Sequence, residues 1–439
     1  AVIANYEINE HARLNVKAFG IFGDRNSVGY FPSGGIVVAD TINQTTNQYN
    51  ARNVNADKYR NSGLEARFIT DYKLLNEKQT LSAGVRFYKG TTYRYAADGK
   101  GTTGSNYDMS LSDGQWIRDI DFNTTNVAAF AENIFRVTKN LLVIPGIRYE
   151  YITGNASGRN GYSGTTPILL QEQTKSRGFI LAGIGAEYHT GSKTEIYGNI
   201  TQAYRPVQFA DLTAPPTTDV IDRDLKDAKG YNIDLGYRGK VKSWLFFDAG
   251  FFYLQYNNRI GSIVQQRIDG SFYNYRTNVG NSSSKGFEGL VEFSPVKAFS
   301  NKINKADVSL FASYAYTNAV YGNLKVITKN SSNQLVETNL KNKKVENAPE
   351  NIIRAGLTVS YKNLSLTGQL SYVDEAYSDA NNTITPTANA QNGLIPSYAV
   401  TDLTAVYKFS DRLNIKAGIN NLTNEKYFTR RAGGYPGPG

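Results

Sequence analysis

Hydrophobic and polar residues alternate with a period of two through most of this chain. In YNIDLGYR, Tyr231, Ile233, Leu235 and Tyr237 fall on one side and Asn232, Asp234, Gly236 and Arg238 on the other. LSAGVRF sets Leu81, Ala83, Val85 and Phe87 against Ser82, Gly84 and Arg86. IIRAGLTVSY sets Ile353, Ala355, Leu357 and Val359 against Arg354, Gly356, Thr358 and Ser360, and LSLTGQLSY and LNIKAGI repeat the pattern. Such alternation predicts strands with one apolar face and one wet face.

The connections between these strands fall into two classes that alternate along the chain. One class is tight, near His11, Glu77, Lys139, Gly191, Lys240, Asn363 and Asp411. The other is long, polar and rich in Gly, Ser, Thr and Asn. It covers Asn26 to Asp57, Ala96 to Arg118, Thr153 to Gln171, Pro206 to Lys226, Gly322 to Lys344 and Asp379 to Leu394. Counting between connections predicts about sixteen strands, with a partial one at AVIANYEI, and many exceed the usual soluble strand length. A soluble β-sandwich array or β-helix keeps its loops similar at both ends. A membrane barrel has tight turns on one side and long loops on the other. The predicted fold class is all-β, a transmembrane antiparallel β-barrel.

Composition supports that reading. The 439 residues include 31 Tyr, 21 Phe and 40 Gly but one Met, a balance suited to strands and hairpins. Tyrosines end many apolar faces, as at Tyr149, Tyr151, Tyr237, Tyr253, Tyr316, Tyr372 and Tyr407, where interfacial girdles place them. No apolar run approaches the length of a transmembrane helix; WLFFDAGFFYL is too short and contains Asp248. The chain opens on AVIANYEINE without an initiator Met, so the lack of a visible signal peptide carries little weight.

The chemistry argues against an enzyme. Cysteine is absent, which removes disulfides, thiolate metal sites and cysteine nucleophiles. His11 and His189 each sit at a short turn, and no phosphate loop or nucleophile elbow is present. GSKT at Gly191 lacks the first glycine of a phosphate loop. Asp222 and Asp224 are a weak candidate for Ca²⁺ in a polar loop. No catalytic residue, metal site or cofactor is expected. The formal charge of +10 points to anionic partners, but no basic stripe interleaves with aromatics, so nucleic acid is not among them.

Several stretches resemble the TonB-dependent outer-membrane receptors. AGINNLTNEKYFTRR is similar to that family's carboxy-terminal signature, and VENAPENIIRAGLTVSY to its Asn-x-Pro strand. NVGNSSSKGFEGLVEF resembles its Asn-x-Gly followed by Lys-Gly-x-Glu. LLVIPGIRYEYI, YGNITQAYRPVQFADL and YNIDLGYRGK are similar to the preceding barrel strands, in the same order. Within the family, GVRFYKGTTYRYAADGKGTTGSNYDM and RRAGGYPGPG look most like the ferric dicitrate receptors.

The resemblance implies a barrel of about 22 strands with a plugged lumen. Residues 1–439 then form a partial barrel domain, with an amino-terminal plug, about five first strands and the last strand lying outside it. It also implies an iron chelate as transported ligand, import to the periplasm with energy from TonB through the plug, and a place in the bacterial outer membrane among lipid and lipopolysaccharide. A receptor for another ligand (siderophore, cobalamin or glycan) and a passive porin or adhesin barrel stay open.

Arginines carry the site expectation. Arg86, Arg148, Arg238 and Arg354 fall on the polar faces, and a lipid-facing Arg at mid-bilayer costs about 2 to 4 kcal/mol, so they should face the lumen. Arg94, Arg118, Arg159, Arg205, Arg259 and Arg267 lie at or beyond the long-loop ends, where guanidinium can pair bidentately with carboxylate. By resemblance, Arg94, Arg86, Arg118, Gln265, Gln266 and Arg267 are the expected ligand-binding residues.

Overall fold

The computed structural model describes every residue except 31–39, 75, 208–218, 223, 267–271, 301–305, 331, 333, 388–391 and 432–439. The first strands are β1 (Val2–Asn9), β2 (Ala12–Gly29), β3 (Asn53–Leu74), β4 (Glu77–Ala97), β5 (Arg118–Arg136), β6 (Leu141–Ser163) and β7 (Thr166–Gly191). Next come β8 (Thr194–Arg205), β9 (Asp219–Ile221), β10 (Ala228–Val241), β11 (Leu245–Gln266), β12 (Phe272–Phe293), the helix α1 (Pro295–Phe299) and β13 (Ala306–Tyr321). The rest are β14 (Lys325–Lys329), β15 (Leu335–Asn339), β16 (Asn351–Tyr361), β17 (Leu364–Val373), β18 (Ala376–Tyr377), β19 (Leu394–Ile395), β20 (Tyr398–Ser410) and β21 (Leu413–Ile419).

The main sheet has 17 strands. Of these, β9 is a three-residue segment lying parallel to β12. The other sixteen form an antiparallel meander, in agreement with the count read from the alternation. β1 and β21 are its edges, and among the described residues no ladder joins them. β14 pairs with β15 and β18 with β19 inside long connections.

Alternation sets the two faces. Ile353, Leu357, Val359, Leu413, Ile415 and Ile419 lie on one face and are exposed, as are Val85, Phe87 and Ile180 farther along the sheet. An apolar surface of this extent is unfavourable in water by about 25 cal/mol per Å² and suits hydrocarbon. Tyrosines edge it at both ends: Tyr188, Tyr237 and Tyr407 toward the tight turns, and Tyr149, Tyr151 and Tyr231 toward the long connections. No helix is long and apolar enough to cross a membrane. Spin labels at Leu357 and Ile415 are therefore expected to be quenched by oxygen, and labels at Arg148 and Glu288 by a water-soluble nickel chelate. Identical or reversed patterns would contradict this assignment of faces.

The two-residue tight turns use left-handed residues at Asn76 (φ 62°) and Lys362 (φ 51°), as such hairpins require, and the three-residue turn between Val241 and Leu245 does so at Lys242 (φ 50°). Three expectations change. Thr153 to Gln171 is no irregular loop: β6 and β7 run on as a hairpin, paired up to Ser163 and Thr166. Gln265 and Gln266 lie on the end of β11, paired with Tyr273 and Phe272, rather than in a loop. At the tight-turn end, the β12–β13 connection is long and holds α1, which starts at Pro295 after Ser294. The β6–β7 extension, GNASGRNGYS in β6, stands beyond the apolar band and is polar or small on both faces, so no hydrophobic alternation marks it.

Some inner-face glycines admit a neighbouring aromatic ring. A Cβ on Gly63 would lie 2.4 Å from the Phe19 ring, and one on Gly286 would lie 1.9 Å from the Tyr316 carbonyl and 2.5 Å from the Phe252 ring.

Candidate functional site

The long-connection end of β2–β5 gathers guanidinium groups on the inner face. Arg94 of β4 lies opposite Asp57 of β3 in the ladder, and its Nε donates to Asp57 Oδ1 at 2.9 Å. The Asp57 side chain is 3 % exposed, and Arg25 of β2 approaches its other oxygen at 3.5 Å. The Arg94 guanidinium also stands 5.4 Å from the centroid of Phe122, a buried ring on β5. Arg118 pairs with Asp98 at 2.9 Å. Because Arg94 faces Ile120 and Ala96 faces Arg118, the two arginines are diagonal neighbours on one face, about 7 to 8 Å apart at the backbone. Three cations thus share two carboxylates here. Holding Arg94 through Nε leaves its Nη edge for an anion, and a carboxylate or phosphate fits such an edge bidentately.

On the outer face at this height, burial and then neighbouring Asp119 push the Asp121 carboxyl above its ordinary pKa. Burial followed by Asp119 and Asp121 does the same to the Tyr95 phenol.

Lower on the inner face the arginines are matched. Arg67 reaches Glu65 at 3.1 Å, Arg86 approaches Glu65 at 4.0 Å, and Arg148 pairs with Glu150 at 2.5 Å. Arg67 and Arg148 flank the Phe130 ring, and Arg86 stands over Phe19. A recess of about 620 Å³ opens among Glu65, Arg67, Phe130 and Arg148. Farther round the wall, Arg238 binds Glu195 at 2.6 Å, and Arg354 lines a second recess with Asp234, Asp248 and Glu288.

Other polar groups at the long-connection end fasten backbone. Arg159 donates from Nη2 to the Trp116 carbonyl at 2.9 Å and from Nε to that of Ile117 at 3.3 Å. Asp222 accepts from Thr277 at 2.6 Å and from the Asp224 amide at 2.8 Å, and the Thr277 bond leads in holding its pKa down. Both carboxylate oxygens therefore serve the loop. Tyr321, buried with Leu324 and Leu340, donates to Glu346, and burial and that bond raise its pKa. His189 is on the last turnward residues of β7, 3.3 Å from Glu195, with Glu187 beside it. Arg238 already occupies that carboxylate.

The expected ligand residues therefore separate. Arg94 and Arg118 come together. Arg86 lies eight residues along β4 from Arg94, about 26 Å down the wall at 3.3 Å per residue. Gln265 belongs to β11, six wall strands from β4. The Gln266 side chain and all of Arg267 lie outside the described residues. Sequence reasoning missed Asp57, Arg25 and Phe122; all three sit on the inner face beside Arg94, and only register reveals that.

A family model described as TonB dependent receptor-like, beta-barrel, matches residues 2–422. The chain belongs to this family. Its fold is similar to the unliganded ferric citrate transporter FecA, at TM-score 0.73 and 18% identity over 99% of this chain and 57% of that one. The siderophore receptor PiuA from Acinetobacter baumannii gives TM-score 0.74 and 16% identity over 99% and 61%. The ferric yersiniabactin uptake receptor FyuA from Yersinia pestis gives 0.65 and 13% over 99% and 57%. The chain spans about three fifths of the length of these receptors. TonB-dependent receptor barrels of this kind are outer-membrane proteins of Gram-negative bacteria, and that is this chain's location. The inner face is accordingly the lumen, and the long connections are extracellular.

In this TonB-dependent receptor the motifs that carry the resemblance act as clasps. Asn421, left-handed at φ 51°, accepts from the Glu425 amide at 2.8 Å and donates its own amide to Asp402 at 2.8 Å, while Tyr427 stacks on Tyr398 at 4.4 Å. Asn278 binds the Lys226 amide at 2.8 Å and the Asn258 carbonyl at 2.9 Å. These bonds tie loops to strands.

Proposed function

We propose that the chain is the wall and extracellular mouth of a receptor importing an anionic iron chelate of the ferric dicitrate type. The single observation that carries this is the Arg25, Arg94 and Arg118 group over Asp57 and Asp98. It leaves excess positive charge and an anchored guanidinium on the lumenal face where a ligand arrives from outside. A polycarboxylate chelate presents the oxygens that such an edge recognises. The likeness to a ferric citrate transporter agrees in fold. Residues 1–439 are proposed as part of the barrel domain only, with a plug that contacts TonB encoded outside them and conveying energy to the release of ligand inward.

Titration of the complete receptor with ferric dicitrate, alongside neutral cobalamin, tests the reading. Tight binding of the chelate with none of cobalamin is expected, weakening with added salt as contacts between ions do. Tight cobalamin binding without chelate binding would reject the ligand class and leave the barrel standing.

A further inference from the structure

The tight-turn end of β7 and β8 brings an imidazole and two carboxylates together on the lumenal face. His189 lies directly across the ladder from Glu195, and Glu187 lies two residues up β7, opposite Tyr197. All three side chains are half-buried. His189 Nδ1 stands 3.3 Å from Glu195 Oε2, and one donor atom from each of the three residues lies within 4.8 Å of the other two. Two bonds of about 2.1 Å to one zinc ion, meeting near the tetrahedral angle, place their donors about 3.4 Å apart. The imidazole and the Glu195 oxygen already stand at that spacing.

The neighbours of these groups leave the donors uncommitted. Arg238, opposite Glu195 on β10, directs both Nε and Nη2 at Oε1 of that carboxylate, each at 2.6 Å. Oε2 is therefore the atom left facing His189. The guanidinium fixes the carboxylate from behind, as the outer partners of ligating carboxylates do. Arg238 is itself held over the Tyr197 ring at 4.8 Å, and it faces Asp248 across the ladder to β11. Glu187 has no hydrogen bond or ion pair among the described residues. One guanidinium thus serves Glu187, Glu195 and Asp248, and the excess negative charge suits a dication. Beside the turn the Thr190 and Thr194 hydroxyls bond at 2.9 Å, which holds the two strand ends at a set distance.

We propose that Glu187, His189 and Glu195 bind a divalent transition-metal ion, zinc by its donor set, at the periplasmic rim of the lumen. Imidazole nitrogen combined with carboxylate oxygen suits zinc, whereas calcium and magnesium are held by oxygen alone. Three protein donors leave a coordination position for water on the lumenal side. A single ion there clips β7 to β8 just above their turn. The inference rests on side-chain geometry at the end of the wall opposite the mouth arginines, and not on the chelate reading.

The test uses the complete receptor in detergent, stripped of metal with a chelator and titrated with Zn²⁺ in a calorimeter at neutral pH. Loss of a group that merely orients a metal ligand costs about ten- to a hundredfold in affinity, so loss of a ligand should cost at least about a hundredfold. One equivalent of Zn²⁺ bound by the parent is therefore expected to weaken by that factor in His189→Gln and in Glu187→Gln. His11→Gln, at a different turn, should bind as the parent does. All variants should keep the heat-sensitive electrophoretic shift of a folded barrel. Affinity in the parent should also fall as pH drops through about 6.5, where an imidazole takes up a proton. No Zn²⁺ bound by the parent, or equal affinity in the parent and folded His189→Gln, would overturn the site. Ca²⁺ held as tightly as Zn²⁺, and retained in His189→Gln, would overturn the assignment to a transition metal.

Discussion

Replacing Arg94 with alanine in the complete receptor is expected to weaken ferric dicitrate binding ten- to a hundredfold. A hydrogen bond to a charged group is worth about 1.5 to 3 kcal/mol, and each 1.4 kcal/mol is about one decade of affinity. The structure adds a second consequence. Asp57 is nearly inaccessible and receives Arg94 Nε at 2.9 Å, with Arg25 farther off at 3.5 Å. Removing the nearer partner leaves a poorly compensated carboxylate, which destabilises beyond the loss of one contact. Arg94→Ala should therefore also lower the melting temperature of the mouth. Arg94→Ala/Asp57→Asn should restore the melting temperature without restoring affinity. Isothermal titration and a thermal melt on both variants decide the matter. Wild-type affinity in Arg94→Ala would remove this residue from the site, and unchanged melting would show that Asp57 needs no partner.

The second large effect concerns assembly. Gly286→Val is expected to abolish folding of the barrel. Gly286 pairs with Phe252 on one side and Thr317 on the other. A Cβ there would sit 1.9 Å from the Tyr316 carbonyl and 2.5 Å from the Phe252 ring. Backbone cannot yield to that approach without breaking the β12–β13 ladder, and the two γ-methyls of a β-branched valine worsen the overlap. Gly368→Val serves as the comparison, because a Cβ at Gly368 meets nothing within 4 Å. The measurement is the fraction of outer-membrane protein showing the heat-sensitive shift. Equal fractions for the two valine variants would refute the steric argument.

The alternation made the wall legible because its cause is local: each strand within the bilayer must show lipid an apolar side. Leu413, Ile415 and Ile419 needed no knowledge of their neighbours to be placed. The hairpin at Thr166 was hidden for the converse reason, since above the bilayer neither face must be apolar and GNASGRNGYS is polar or small throughout. Helix α1 was missed because five residues after Ser294 are too few to show a period. Arg94 and Arg118 were legible as inner-face cations at strand ends. What they touch was not, because Asp57 is 37 residues from Arg94 in sequence and meets it through the register of β3 on β4. Gln265 was placed by resemblance of a loop, and the structure returns it to a strand six positions away round the wall.

The β6–β7 hairpin can be regarded as a jointed mast. Ser163 stands twelve residues beyond Tyr151, about 40 Å along the strand. Its ladder slips twice, between Ala156 and Gly158 and between Arg159 and Gly161, and such bulges are where a ribbon bends. Gly158, at φ +124°, brings the first joint so near β5 that a Cβ would lie 2.2 Å from the Asp119 carbonyl. Below it, Ala156 packs with Ile120 and Phe122, and just above it Arg159 grips the carbonyls of Trp116 and Ile117. The first joint is therefore clamped against β5, and only the second, between Arg159 and Gly161, lies beyond the clamp. A sideways load on the tip should bend the ribbon at that second joint, on the far side of the clamp from Arg94 and Arg118.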